Sequence, residues 1–229
     1  MIVAGAAVLC AQDPAAAQKQ RPQRVPRPGV KDVQKSMDLI KPDAVFDVPG
    51  TPDWTVASPQ AVWVTNSPRN TAHRLDPKTN TVTAVIEVGK RPCSGVAYGF
   101  GSIWVPNCGD KTVSRIRIAD NQVTATIPVG PADSEGGIAC SKDACWMPAA
   151  GDKLARIDPK TNTFTADIPL PPGSFTADFG AGAVWVTSTS GSLVTRVDPR
   201  KRKVTGSVAV GPRPRFLTVG EGYVWTLNQ

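Results

Sequence analysis

Apolar residues recur at every second position through four segments of the chain. They are Val82, Ala84, Ile86, Val88; Val123, Ala125, Ile127, Val129; Phe164, Ala166, Ile168, Leu170; and Val204, Gly206, Val208, Val210, where Gly206 is the one small exception. The positions between them carry Thr83, Val85 and Glu87 in the first segment and Thr124, Thr126 and Pro128 in the second. A period of two with one solvated face predicts β-strands. Pro128 places that strand at a sheet edge, because proline cannot donate to a ladder on both sides. A second kind of segment is apolar at consecutive positions: "VWV" around Trp63, "IWV" at Trp104, "CWM" at Trp146, "VWV" at Trp185 and "VWT" at Trp225. Continuous apolarity predicts strands covered on both faces.

These segments repeat. "RLDPKTNTVTAVIEVG" begins at Arg74, and its versions begin at Arg115, Arg156 and Arg196, so the period is 41, 41 and then 40 residues. The tryptophans are spaced 41, 42, 39 and 40, while the distance from each Trp to the following Arg stays at 11, 11, 10 and 11. Length changes therefore fall in turns, and the strands are the constant part. Asp-Pro and Thr-Asn between the Arg strand and the outer strand are turn formers. Before each Trp, "GVAYGFGSI", "GGIACSKDA", "TADFGAGAV" and "FLTVGEGYV" each predict a short strand entering a tight turn. Each repeat is thus a meander of four short antiparallel strands in about 40 residues, one propeller blade. The expected fold is all-β, with four complete blades and a partial fifth. Its strand order runs from the innermost strand through the Trp and Arg strands to the outer strand.

The blade sequences "GSIWVPNCGDKTVSRI" and "DPKTNTVTAVIEVG" resemble the YVTN-type β-propeller repeat family and are more distantly similar to the streptogramin (virginiamycin B) lyase propellers. The resemblance covers about residues 44–229. It implies a ring that is usually seven-bladed, so the chain is expected to be part of a longer propeller. Residues 44–50, "AVFDVPG", match an outer strand alone and are expected to close the last blade of the ring.

The start, "MIVAGAAVLCAQDPAAAQ", is an apolar run followed by small residues, with Ala15 and Ala17 fitting an A-x-A cleavage site. Residues 1–17 are therefore expected to be an export signal, and the basic, proline-rich residues 18–43 a linker. The destination is then periplasmic or secreted, with no transmembrane segment in the mature chain. Of the 26 Lys and Arg, seven fall in residues 1–43 against four Asp, leaving 19 bases and 15 acids beyond. A surplus of four argues against nucleic acid as the partner.

If the inner strand and the Trp strand form a hairpin turning near Phe100, opposed residues have numbers that sum to 201, which sets Cys93 against Cys108. Shifting by the 42-residue Trp spacing gives 285, which sets Cys140 against Cys145. Two local disulfides are the expectation for an exported chain, with four reduced, buried cysteines the alternative. The two pairs lie an odd number of residues apart in the repeat, so only one can be the closer, non-hydrogen-bonded kind. The cysteines form no Cys-x-x-Cys or Cys/His cluster, so no metal and no cofactor are expected.

Ligands of propellers enter at the central channel, where the loop leading into each innermost strand contributes a residue. Ten positions before each Trp the chain carries Asp53, Ser94, Gly136, Phe175 and Arg215, with Trp54, Glu135 and Phe216 adjacent. The candidate site is Asp53, Ser94, Glu135, Phe175 and Arg215, a polar and aromatic mouth suited to a small organic molecule or a peptide tip. The alternative is that these are ordinary loop residues, with Phe175 and Trp54 plugging the channel. Arg74, Arg115, Arg156 and Arg196 are expected on the polar face of the third strand.

Resemblance to the lyases implies a channel histidine as general base, and a carboxylate with histidine around a metal. Where those lyases carry "HG" this chain has Ser94-Gly95 and Gly136-Gly137, Glu135 is the nearby carboxylate, and the single histidine, His73, falls on a third strand. The leading expectation is a binding or interaction scaffold. A metal-dependent lyase or lactonase-like hydrolase, with catalytic residues in blades outside this sequence, is the alternative.

Overall fold

A computed structural model describes residues 36–229. The expected export signal and most of the expected linker lie outside the described residues. Residues 36–43 carry one turn of 3-10 helix, Met37–Leu39, and among the described residues the strands all lie in the unit Ala44–Gln229.

That unit is built from four-stranded antiparallel sheets that follow chain order. Blade one is β1 (Pro52–Ser58), β2 (Ala61–Asn66), β3 (Thr71–Asp76) and β4 (Thr81–Glu87). Blade two is β5 (Ala97–Gly99), β6 (Ser102–Asn107), β7 (Thr112–Arg117) and β8 (Gln122–Ile127). Blade three is β9 (Ala139–Cys140), β10 (Cys145–Ala149), β11 (Lys153–Asp158) and β12 (Thr163–Pro169). Blade four is β13 (Ser174–Gly180), β14 (Ala183–Ser188), β15 (Leu193–Asp198) and β16 (Lys203–Ala209), and blade five is the pair β17 (Pro214–Gly220) and β18 (Tyr223–Asn228). The innermost strands adjoin one another in sequence, β1 on β5, β5 on β9, β9 on β13 and β13 on β17. This is the meander that the period of two and the turn residues predict. Residues 44–50 form no strand among the described residues. Instead Asn66 Nδ2 donates to the Pro49 carbonyl at 2.6 Å, and the Asn66 side chain lies so close to Gly50 that a Cβ there would meet it at 2.7 Å.

Three of the repeat tryptophans pack on the blade that follows. Trp63 joins Ile103, Val105 and Ile116, Trp104 joins Cys145, Met147 and Ile157, and Trp146 joins Val184, Val186 and Val197. Facing a blade of only two strands, β16 is exposed along its whole length. The indoles also find partners within their own hairpins: Trp104 Nε1 donates to the Gly99 carbonyl at 3.1 Å and Trp63 Nε1 to Ser58 Oγ at 3.1 Å. Burying so much apolar surface without leaving the N–H unpaired is what lets tryptophan occupy this position.

The third-strand arginines are not a plain polar face. Trp63 stands opposite Arg74 and Trp104 opposite Arg115, so each guanidinium lies on the indole side of its sheet. Arg115 sits over the Trp104 ring at 4.8 Å and crosses to blade three, where it donates to Asn162 Oδ1 at 2.8 Å and to the Pro159 carbonyl. Arg74 makes the same clasp on Asn121 Oδ1 at 2.8 Å and the Ile118 carbonyl. The accepting asparagines stand at φ 60° and 57°, a left-handed turn conformation that asparagine tolerates better than most residues. In the next repeat that position is Arg202, and Arg156 makes no such clasp, its guanidinium instead reaching the Asp143 carbonyl at 3.5 Å.

Both disulfides are formed. The hairpin β5–β6 pairs Ala97 with Trp104 and Gly99 with Ser102, and β9–β10 pairs Cys140 directly with Cys145. Ser141 N donates to the Ala144 carbonyl one step nearer the turn, so Cys140 and Cys145 are the close, non-hydrogen-bonded pair, with Cα atoms 4.0 Å apart. Cys93 and Cys108 are the wider pair, 5.8 Å apart.

Candidate functional site

The inner strands begin irregularly, and that irregularity builds the mouth. In β1 the register slips between Pro52 and Thr55, in β13 between Ser174 and Ala177, and in β17 between Pro214 and Phe216. Asp53 with Trp54, Phe175 with Thr176, and Arg215 therefore fall at bulges, which re-aim side chains away from strict alternation. Blade two slips as well: the isolated pair Pro92 and Asn107 is out of step with the hairpin below it. The Cys93–Cys108 bridge crosses this slip and fixes the loop that carries Ser94.

Four of the five predicted residues come together. Arg215 forms an ion pair with Glu135 and lies over the rings of Phe175 at 5.1 Å and Phe216 at 5.6 Å. Arg215 also donates to Gln229 Oε1 at 3.2 Å. Phe216 meets Phe175 edge-on at 6.0 Å and Trp54 at 5.7 Å, so the cluster draws on blades one, three, four and five. Asp53 is exposed at the rim. Partial burial, and then the charge of Glu135, raise its carboxyl above the ordinary carboxylate range. A cavity of about 530 Å³ opens against Phe175 and Arg215 and is also lined by Asp133, Thr189, Arg213 and Gln229.

Ser94 behaves differently. It is fully buried, its Oγ donating to the Asp133 carbonyl at 3.4 Å beside the Cys93 sulfur. It supports the loop from beneath. Two backbone bonds at the same place tie blade two to blade three: Gly95 N to the Gly136 carbonyl and Glu135 N to the Cys93 carbonyl, each 2.7 Å. Gly136 cannot be enlarged, since a Cβ there would come within 2.7 Å of the Phe175 carbonyl.

Trp54 and Phe216 carry more of the mouth than their neighbour status in the sequence suggested. The Trp54 Nε1 donor is buried without a partner, an arrangement that costs free energy unless a ligand or water accepts from it. His73 lies on β3, with Nε2 3.0 Å from Thr71 Oγ1 and Nδ1 unpartnered. Burial, and then Arg69, lower its pKa and keep it neutral at neutral pH. Among the described residues no three His, Cys, Asp or Glu side chains gather as metal ligands.

No protein-family model matches the chain, and no curated protein matches it. Solved structures do. Virginiamycin B lyase from Staphylococcus aureus is similar with a TM-score of 0.67 and 19% identity, over 79% of this chain and 65% of that one. A streptogramin B lyase gives 0.67 and 20%, over 79% and 63%. The chain is a β-propeller. BamB from Moraxella catarrhalis shares the fold with a TM-score of 0.63 and 10% identity, over 76% of this chain and 53% of that one. This chain thus spans less than two thirds of the length of each. At these identities the likeness concerns the fold alone, and propellers of one architecture host unrelated activities.

Proposed function

We propose that the chain is an exported β-propeller scaffold, periplasmic or secreted, that binds a small organic molecule or a peptide tip at the channel mouth. The contacts are Asp53, Glu135, Phe175 and Arg215, joined by Trp54 and Phe216, with Ser94 holding its loop from below. The observation that carries this reading is the Arg215–Glu135 ion pair set on two phenylalanine rings beside an open cavity. Charged and aromatic groups from four blades meet there, and the Arg215 and Glu135 side chains stay partly open to solvent. Two disulfides support an oxidising compartment. Fold likeness to two lyases favours a second reading, a metal-dependent lyase or lactonase-like enzyme, whose general base His73 could not readily be, placed as it is two strands out from the channel.

A fragment mixture titrated into isotopically labelled protein tests the site. Amide shifts are expected at Asp53, Trp54, Glu135, Phe175, Arg215 and Phe216. Shifts confined to the opposite-end turns at Gly101, Asp143 and Gly182 would overturn the assignment.

A further inference from the structure

Arg215 already has what a bound cation would seek: two aromatic faces within 6 Å and a carboxylate. It is therefore badly placed to recruit an anion. An anionic ligand would have to take Arg215 from Glu135, and would then face the freed Glu135 carboxylate with Asp53 close enough to feel its charge. The carboxylates at the mouth, Asp53, Asp133 and Glu135, outnumber the two arginines, Arg213 and Arg215. Alongside them stands the buried, unpartnered Trp54 Nε1, which wants an oxygen acceptor.

Resting on the mouth being the binding site, we infer that its ligand is an organic cation, a guanidinium or alkylammonium group. Arg215 is the built-in occupant that this ligand displaces. The incoming cation takes over the Phe175 and Phe216 faces and the Glu135 carboxylate, while an oxygen carried on the same molecule accepts from Trp54 Nε1. An arginine or lysine side chain on a peptide offers both groups at once, and a free diamine or agmatine offers the cation alone.

Calorimetric titration of the whole chain and of Arg215→Ala with agmatine and with N-acetyl-arginine methylamide tests this, an NMR spectrum first confirming that the variant is folded. Displacing a partly exposed ion pair and its aromatic contacts weakens binding, so Arg215→Ala is expected to bind agmatine about tenfold more tightly than the unsubstituted chain. Adding Phe216→Ala or Glu135→Gln should remove that gain. Tighter binding of the capped arginine than of agmatine marks a peptide source; equal binding marks a free cation, which supports the cation inference and overturns the Trp54 Nε1 contact. Unchanged or weaker agmatine binding in Arg215→Ala overturns it, as does an acetate or phosphate affinity that the substitution abolishes. If fragments still shift the mouth amides while agmatine fails in both proteins, the cation inference falls and the mouth remains the site.

Discussion

Replacing Trp104 with alanine is expected to destabilise the folded chain by about 3–5 kcal/mol, the usual loss for a large aromatic removed from a core. Trp104 is fully buried between blades two and three. It also anchors Arg115 over its ring and satisfies the Gly99 carbonyl, so truncation opens a cavity and releases two further contacts. Trp225 holds the same place in the repeat but is 56% exposed, and Trp225→Ala should cost less than about 1 kcal/mol, as for other surface substitutions. Denaturant unfolding of the two variants gives both values. Equal losses would contradict the assignment of these tryptophans to inter-blade packing.

Removing the Cys93–Cys108 bridge by double substitution to alanine should cost about 3 kcal/mol, the loop-closure value for a separation of 15 residues. The Cys140–Cys145 bridge spans only five residues and should contribute less, roughly 2 kcal/mol by the same reasoning. Alkylation without reductant, read by mass spectrometry, is expected to leave all four of these cysteines unlabelled. Labelling of Cys93 or Cys108 would show the bridge to be absent. Loss of the longer bridge should also disturb the mouth, because it fixes the loop that carries Ser94 and reaches Glu135 through Cys93.

What the sequence reveals and what it hides follow from the same alternation. Pairing Cys140 with Cys145 could be reached from residue numbers, since a hairpin keeps a constant sum and β9–β10 obeys it. Cys93 and Cys108 satisfy the same sum, yet the strand has slipped by the time it reaches Pro92 and Asn107, and periodicity gives no sign of a bulge. The mouth is built from such slips, which is why Trp54 and Phe216 stood out less than the residues beside them. Burial of Ser94 was also illegible, because it depends on how closely the Gly136 backbone of the next blade approaches. The arginine clasps did leave a signal: a constant Trp-to-Arg spacing around a tight turn sets the two residues opposite each other, as in Trp63 and Arg74. Reading that spacing as a pairing rather than a polar face would have found them.

The central claim is that the mouth residues are kept for binding rather than for folding, and two arginines in one molecule test it directly. Arg115 is a clasp between blades, bonded to Asn162, Pro159 and Ser102, and Arg115→Ala should lower unfolding free energy by about 2–3 kcal/mol, as for lost charge-assisted hydrogen bonds. Arg215 rests on an ion pair whose side chains are 31% and 48% exposed; solvent screening limits such a pair, and Arg215→Ala should cost less than about 1 kcal/mol. Urea unfolding of the two variants side by side decides the matter. A small loss for Arg215→Ala beside a large one for Arg115→Ala is the predicted result, and a loss at Arg215 as large as that at Arg115 would make the mouth a structural element and contradict its assignment as a binding site.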